Sequence, residues 1–244
     1  MITTPTIGAA FRSLARSTLE LLFPIHCLGC GREGNVICAS CADELRKLED
    51  PFCDVCAQPG AQGQCSPCLE NPLAIDGIRA PYLFEGPLRE AVHRLKYRGW
   101  RAVTPGLGDL LASYLEKHKL PGEVFVPVPL HSSRLRSRGY NQSNLLAREA
   151  GKLLGVPVRE DLLNRANDSR PQVEARSREH RRANVAGNFK ASADVMGMSV
   201  LLVDDVATTG STLSACAAAL KEAGAASVWG LVLARESLRP QDRD

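Results

Sequence analysis

Two stretches of this 244-residue chain combine residue types and spacings that can do chemistry. The first is Asp204-Asp205-Val206-Ala207-Thr208-Thr209-Gly210-Ser211-Thr212. Successive backbone N–H groups from Thr208 to Thr212 can cradle a phosphate. The hydroxyls of Thr208, Thr209, Ser211 and Thr212 add donors, and Gly210 lets the backbone approach an anion closely. The paired acids would repel a phosphate, so they suit sugar hydroxyls or a hard cation such as Mg²⁺. A helix cap followed by turn-forming hydroxyls is the purely structural alternative. It leaves the second acid and the apolar run before it unexplained.

The second stretch holds eight of the nine cysteines as four Cys-x-x-Cys pairs: Cys27/Cys30, Cys38/Cys41, Cys53/Cys56 and Cys65/Cys68, with spacers of seven, eleven and eight residues. Two thiolates separated by two residues in a tight turn can face one metal, and two such knuckles complete a tetrahedral zinc site. Gly29, Gly31 and Pro67 suit those turns. Sequential pairing joins the first two pairs and the last two, and it closes the shorter loops. Interleaved pairing would give a cross-braced unit. Two four-sulphur sites leave no open ligand position, so the zinc would be structural. In a segment poor in large apolar residues it would supply much of the folding free energy. Iron–sulphur ligation is the alternative use. The ninth cysteine, Cys216, lies in an Ala-rich run, where plain packing is expected.

The elements that must position these residues follow from the patterning. Beyond Asn71-Pro72 cysteine all but disappears, and strand and helix patterns alternate. Strands are expected at Ile78–Phe84, Val124–Val128, Ser199–Val203 and Ser227–Ala234. Helices are expected at Pro87–Tyr97, Leu107–His118, Gln142–Leu154 and Gly210–Ala223. That alternation implies an α/β fold, a mostly parallel sheet flanked by helices and preceded by a small zinc-ribbon module with four-cysteine sites. In such sheets ligands bind beyond the carboxyl ends of the strands, where Val200-Leu201-Leu202-Val203 delivers Asp204. The expected organisation is an amphipathic helix in 1–22, the cysteine module in 23–70, the α/β domain in 71–236 and a tail in 237–244. Trp100 and Trp229 are expected in the core.

The formal net charge is +3. Between His131 and Arg182, eleven Arg and one Lys face six acids, a local +6 that leaves −3 for the remainder. A chain basic throughout, such as a histone-like DNA wrapper, is excluded, but a local polyanion surface is not. No run of about 20 apolar residues occurs, and the N-terminal stretch lacks the pattern of a signal peptide. A cytoplasmic location is therefore expected, where clustered cysteines mean metal rather than disulfides.

The run Val200–Thr212 resembles the phosphoribosyl-pyrophosphate (PRPP) signature of type I phosphoribosyltransferases. More narrowly, residues 20–236 are similar to the ComF family of competence-associated and GntX-like proteins. That likeness rests on the cysteine module opening Phe23-Pro24-Ile25-His26-Cys27, on Leu95-Lys96-Tyr97-Arg98-Gly99, on Pro127-Val128-Pro129-Leu130 and on Arg138-Gly139-Tyr140-Asn141-Gln142. A weaker stretch runs from Arg165 through Arg181-Arg182-Ala183-Asn184 to Phe189.

The resemblance implies that Asp204 and Asp205 are the catalytic pair, meeting the ribose 2′- and 3′-hydroxyls. It implies that Thr208, Thr209, Gly210, Ser211 and Thr212 hold the 5′-phosphate and that Mg²⁺ bridges pyrophosphate and ribose oxygens. By position the pyrophosphate loop is Leu130–Arg134, with His131 and Arg134 as its candidates. Lys96, Arg138, Tyr140, Asn141 and Gln142 become pocket residues, with helix capping the alternative for the last two. A mobile loop within Asn164–Arg182, including Arg181 and Arg182, would close over the centre, the alternative being an exposed basic helix-loop with no closing role. Pyrophosphate displacement from the anomeric carbon needs leaving-group stabilisation and exclusion of water, not a covalent nucleophile. The implied function is phosphoribosyl transfer to an unspecified acceptor, linked to DNA uptake, with single-stranded DNA or uptake proteins as candidate partners. Two other classes compete: a PRPP or nucleotide sensor without turnover, and a nucleic-acid-binding accessory protein. The sequence sets no oligomeric state.

Overall fold

The structure, a computed structural model, describes residues 25–166 and 188–237. The expected helix in 1–22, Arg181, Arg182 and most of the expected tail lie outside the described residues.

In the cysteine module two short helices, α1 (Ala39–Asp43) and α2 (Ser66–Glu70), each begin directly after a cysteine, Cys38 and Cys65. Next come β1 (Gly77–Arg79), β2 (Tyr82–Leu83), α3 (Gly86–Tyr97), α4 (Thr104–Lys117) and β3 (Val124–Pro127). They are followed by α5 (Ser132–Arg138), α6 (Gln142–Leu154), β4 (Leu163–Arg165) and β5 (Phe189–Ala191). The chain ends with β6 (Ser199–Ala207), α7 (Ser211–Glu222) and β7 (Ser227–Arg235).

One sheet has the order β1-β7-β6-β3, with β2 also on β7, and all its pairings are parallel. β6 and β7 are apolar, branched runs, as strands buried on both faces must be. Alternation along β6 sorts the core. Leu201 and Val203 meet Leu88, Leu95, Leu111 and Leu146 of the helices on one face. Val200 and Leu202 meet Leu213, Cys216 and Leu220 of α7 on the other. Cys216 is fully buried there, as expected of a packing residue. Trp100 and Trp229 are only partly buried, against the first face. β4 and β5 form a separate antiparallel pair, at the two ends of the segment that is not described.

Several boundaries differ from expectation. The strand expected over Ile78–Phe84 is broken at Ala80-Pro81 into β1 and β2. Proline has no N–H for the ladder, and its carbonyl instead accepts from Leu48 N at 2.9 Å. α4 starts at Thr104, where Pro105 occupies its first turn. β6 runs on through both acids to Ala207 rather than stopping at Val203. The expected loop Leu130–Arg134 is half helix, because His131 caps α5 and Ser132, Ser133 and Arg134 form its first turn.

Candidate functional site

β3 ends at Pro127, opposite Val203, while β6 continues to Ala207. This stagger sets Asp204 and Asp205 beyond the end of β3, in a cleft of about 780 Å³. Asp205 is 2% exposed. Its Oδ1 receives Lys96 Nζ at 2.9 Å, from the last turn of α3. Its Oδ2 is buried and has no hydrogen-bond partner among the described residues. Asp204 Oδ1 accepts from Ser143 Oγ at 2.7 Å and from Asp205 N at 2.9 Å. Burial and the neighbouring Asp205 charge push the Asp204 carboxyl up to about 7, against the opposing pull of Ser143, the Asp205 N–H and Lys96. An orphaned oxygen beside a carboxyl so raised is a donor set in want of a hydroxyl or a hard cation.

The turn after β6 feeds α7. Gly210 caps this helix in the left-handed region, φ 78°, where a Cβ would lie 2.9 Å from Ile78 Cδ1. Ser211 N donates to Thr209 Oγ1 at 3.3 Å, and the two hydroxyls stand 2.8 Å apart. Thr208 and Thr209 are exposed, and Thr212 lines the cleft. Of the five expected turn residues only Thr212 lines the cleft, while Thr208, Thr209, Gly210 and Ser211 follow the acids at the N-terminus of α7, a position suited to a phosphate.

Lys96, Arg134, Arg138 and Gln142 also line this cleft. Gln142 Oε1 accepts from Arg138 Nη1. The other expected residues sit elsewhere. His131 Nδ1 accepts from Ser133 N at 3.2 Å, capping α5, and the residue faces an adjoining cavity of about 440 Å³. Tyr140 and Asn141 face that same cavity. Tyr140 is buried, its hydroxyl donates to Leu95 O, and the Arg101 guanidinium lies 4.4 Å from its ring centre. Asn141 caps α6 through Ser143 N at 3.0 Å and ties it to Val128 O at 2.9 Å. Trp100 and Trp229 line neither cavity.

Cys27, Cys30, Cys38 and Cys41 form one cluster, and Cys53, Cys56, Cys65 and Cys68 a second, each with its sulphurs within 4.8 Å of one another. The grouping is the sequential one. Cys30 and Cys38 stand 3.6 Å apart at sulphur, as do Cys56 and Cys65. A tetrahedral site with Zn–S of about 2.3 Å needs about 3.8 Å. Burial alone would raise the Cys27 and Cys53 thiols, but backbone N–H groups from neighbouring residues bring them down to about 6 and about 7. Cys38 N and Gly29 N both donate to Cys27 Sγ at 3.4 Å. Both clusters fit structural zinc.

Two participants carry little signal in the sequence. Ser143 is overshadowed by the neighbouring Asn141-Gln142 motif, although it stands in the first turn of the same helix. Arg235 is fully buried at the end of β7. Its only signal is a charge closing an otherwise apolar strand.

The phosphoribosyl transferase domain family matches residues 136–243, and the double zinc ribbon family matches residues 18–70. Fold and site together define a phosphoribosyltransferase-type domain joined to a double zinc ribbon. Competence protein F of Haemophilus influenzae is 31% identical over 225 residues, covering 86% of this chain and 96% of that protein. DNA utilization protein YhgH of Salmonella typhimurium is 31% identical over 200 residues, covering 79% and 87%. Competence protein ComFC of Bacillus subtilis is 28% identical over 208 residues, covering 82% and 84%. The chain belongs to the ComF family of competence-associated proteins. Among the described residues no helix is long and apolar enough to cross a membrane.

Proposed function

We propose that this protein binds PRPP with Mg²⁺ and transfers its phosphoribosyl group to a nucleophilic acceptor. The observation that carries the reading is the pair of half-buried Asp204 and buried Asp205, set past the end of β3 and followed by a turn into the N-terminus of α7. Asp204 and Asp205 receive the ribose hydroxyls. Thr208 to Thr212 hold the 5′-phosphate. Arg134 and Arg138 lie on the cleft wall, where the leaving pyrophosphate gathers negative charge. His131, as a helix cap facing the adjoining cavity, has a weaker claim to that role.

The bond from the anomeric carbon to pyrophosphate breaks with its electron pair leaving on oxygen. The acceptor supplies the pair for the new bond and loses a proton. The carboxylates steady the positive charge that develops on the ribose ring. The carboxylate oxygens of Asp204 and Asp205 are the hard donors that fit Mg²⁺ in this cleft, and the ion would supply charge neutralisation of the pyrophosphate.

Structural zinc in both ribbons and a reducing, cytoplasmic setting belong to the same reading, as does the division into a zinc module over 23–70 and a transferase-like domain over 71–236. A role in DNA use is carried over from the names of the relatives.

Titration calorimetry with PRPP and Mg²⁺ tests the site. Wild type should bind, and the double substitution Asp204→Asn/Asp205→Asn should weaken binding at least about tenfold, as loss of hydrogen bonds to charged groups does. Absence of binding by wild type sinks the reading. Pyrophosphate release over a panel of bases separates transfer from sensing.

A further inference from the structure

The chemistry above gives no part to Arg235, a cation with no access to solvent. Its Nε donates to Cys56 O at 2.8 Å and its Nη2 to Gln58 Oε1 at 3.1 Å, both in the second cysteine cluster's first knuckle. Its Nη1 donates to Ala207 O at 2.9 Å and to Thr208 O, where β6 turns into the phosphate-shaped loop, and to Glu236 O at 2.8 Å. One rigid, planar fork therefore holds the second ribbon and the turn together.

The charge balance is incomplete as it stands. Among the described residues the oxygens that Arg235 meets are all carbonyl or amide oxygens, and a guanidinium stays charged. A buried cation without a counter-charge is costly. Cys56 Sγ lies 4.0 Å from Nη2. Four thiolates around Zn²⁺ carry two net negative charges, so a filled second cluster would supply the counter-charge that Arg235 lacks among the described residues. Leu73 adds a mechanical link, because it packs on the second cluster and stands against Gly210. None of the Arg235 hydrogen bonds reaches the first cluster.

We propose that Arg235 is a positioning residue that makes the order of the Ala207–Ser211 turn depend on metal in the Cys53, Cys56, Cys65 and Cys68 cluster and not on metal in the first. Its functional meaning rests on the reading of that turn as the phosphate site, but the coupling itself is measurable without PRPP.

The readout is amide hydrogen exchange of the full-length, zinc-loaded protein, at Ser214 and Glu236, whose N–H groups donate to Gly210 O and Ala207 O. Cys65→Ser should speed their exchange about ten- to a hundredfold, the scale of a lost charge-assisted hydrogen bond. Cys30→Ser should leave it unchanged. Arg235→Gln should speed it equally while keeping the wild-type zinc content, and Arg235→Lys should fall between. Unchanged exchange in Cys65→Ser, or equal acceleration in Cys30→Ser, overturns the proposal, as does a wild-type second cluster that holds no metal. Should Arg235→Gln fail to fold, the comparison of the two cysteine variants decides alone. Where coupling holds, PRPP affinity falls in parallel in Cys65→Ser. Where wild type binds no PRPP, the functional reading falls and the exchange result still stands.

Discussion

Lys96 Nζ lies 2.9 Å from Asp205 Oδ1, joining the last turn of α3 to the far end of β6. The carboxylate side is 3% exposed and the ammonium side 21%. Removing one partner of such a pair strands the other. Lys96→Met should cost about 2–4 kcal/mol, the lower end reflecting the partial solvent access of Lys96. Adding Asp205→Asn to it should recover a large part of that loss. Urea unfolding of both single variants and the double variant measures the coupling. Strictly additive losses would show that the pair contributes nothing.

Asp204 sets a pH dependence in the ligand-free protein. Its folded value of about 7 exceeds the ordinary carboxylate value of about 3.9. Between those limits the folded state keeps a proton that the unfolded state has released. Its contribution is therefore full below about pH 4 and is lost as the pH rises through about 7. Asp204→Asn should flatten that decline. Denaturation midpoints at pH values of about 4.5, 6 and 8 test it. A wild-type slope unaltered in the variant would contradict it.

The sulphur geometry calls for two zinc ions per chain. Metal analysis should find about two in wild type and about one in either Cys30→Ser or Cys65→Ser. Loss of both ions from a single substitution would indicate that the two ribbons are not independent sites.

Gly210 combines φ 78° with contacts that a Cβ would make at 2.9 Å to Ile78 and 3.1 Å to Leu73. Gly210→Ala should destabilise by about 1–3 kcal/mol, with strain and overpacking acting together. PRPP affinity should drop with it, because the turn cannot keep its path. Calorimetry and thermal melts check both effects.

What the sequence revealed was local. The cysteine pairs and the Asp204–Thr212 run are read from neighbours, because spacing in a knuckle or a strand-to-helix turn is set within a few residues. The continuous apolar runs of β6 and β7 marked the central strands for the same reason. Pairings over long range stayed hidden. Nothing near Lys96 announces Asp205, nothing near Arg235 announces Cys56, and the motif placing Tyr140 and Asn141 in the pocket does not reveal that they fasten Leu95 and Val128. Pro81 is visible in the sequence, but the strand break it enforces is concealed because the flanking residues are good strand formers.

The cysteine module also meets the sheet through its backbone. Val55 O takes Ile78 N at 2.7 Å, and Arg46 O takes Leu83 N at 2.9 Å, so the module caps the outer side of β1 and β2. It serves as edge protection. A truncated chain beginning near residue 71 would bare an open row of strand N–H and C=O groups, a template on which copies can add end to end. Such a fragment would be lost from solution by aggregation rather than stand as an independent domain.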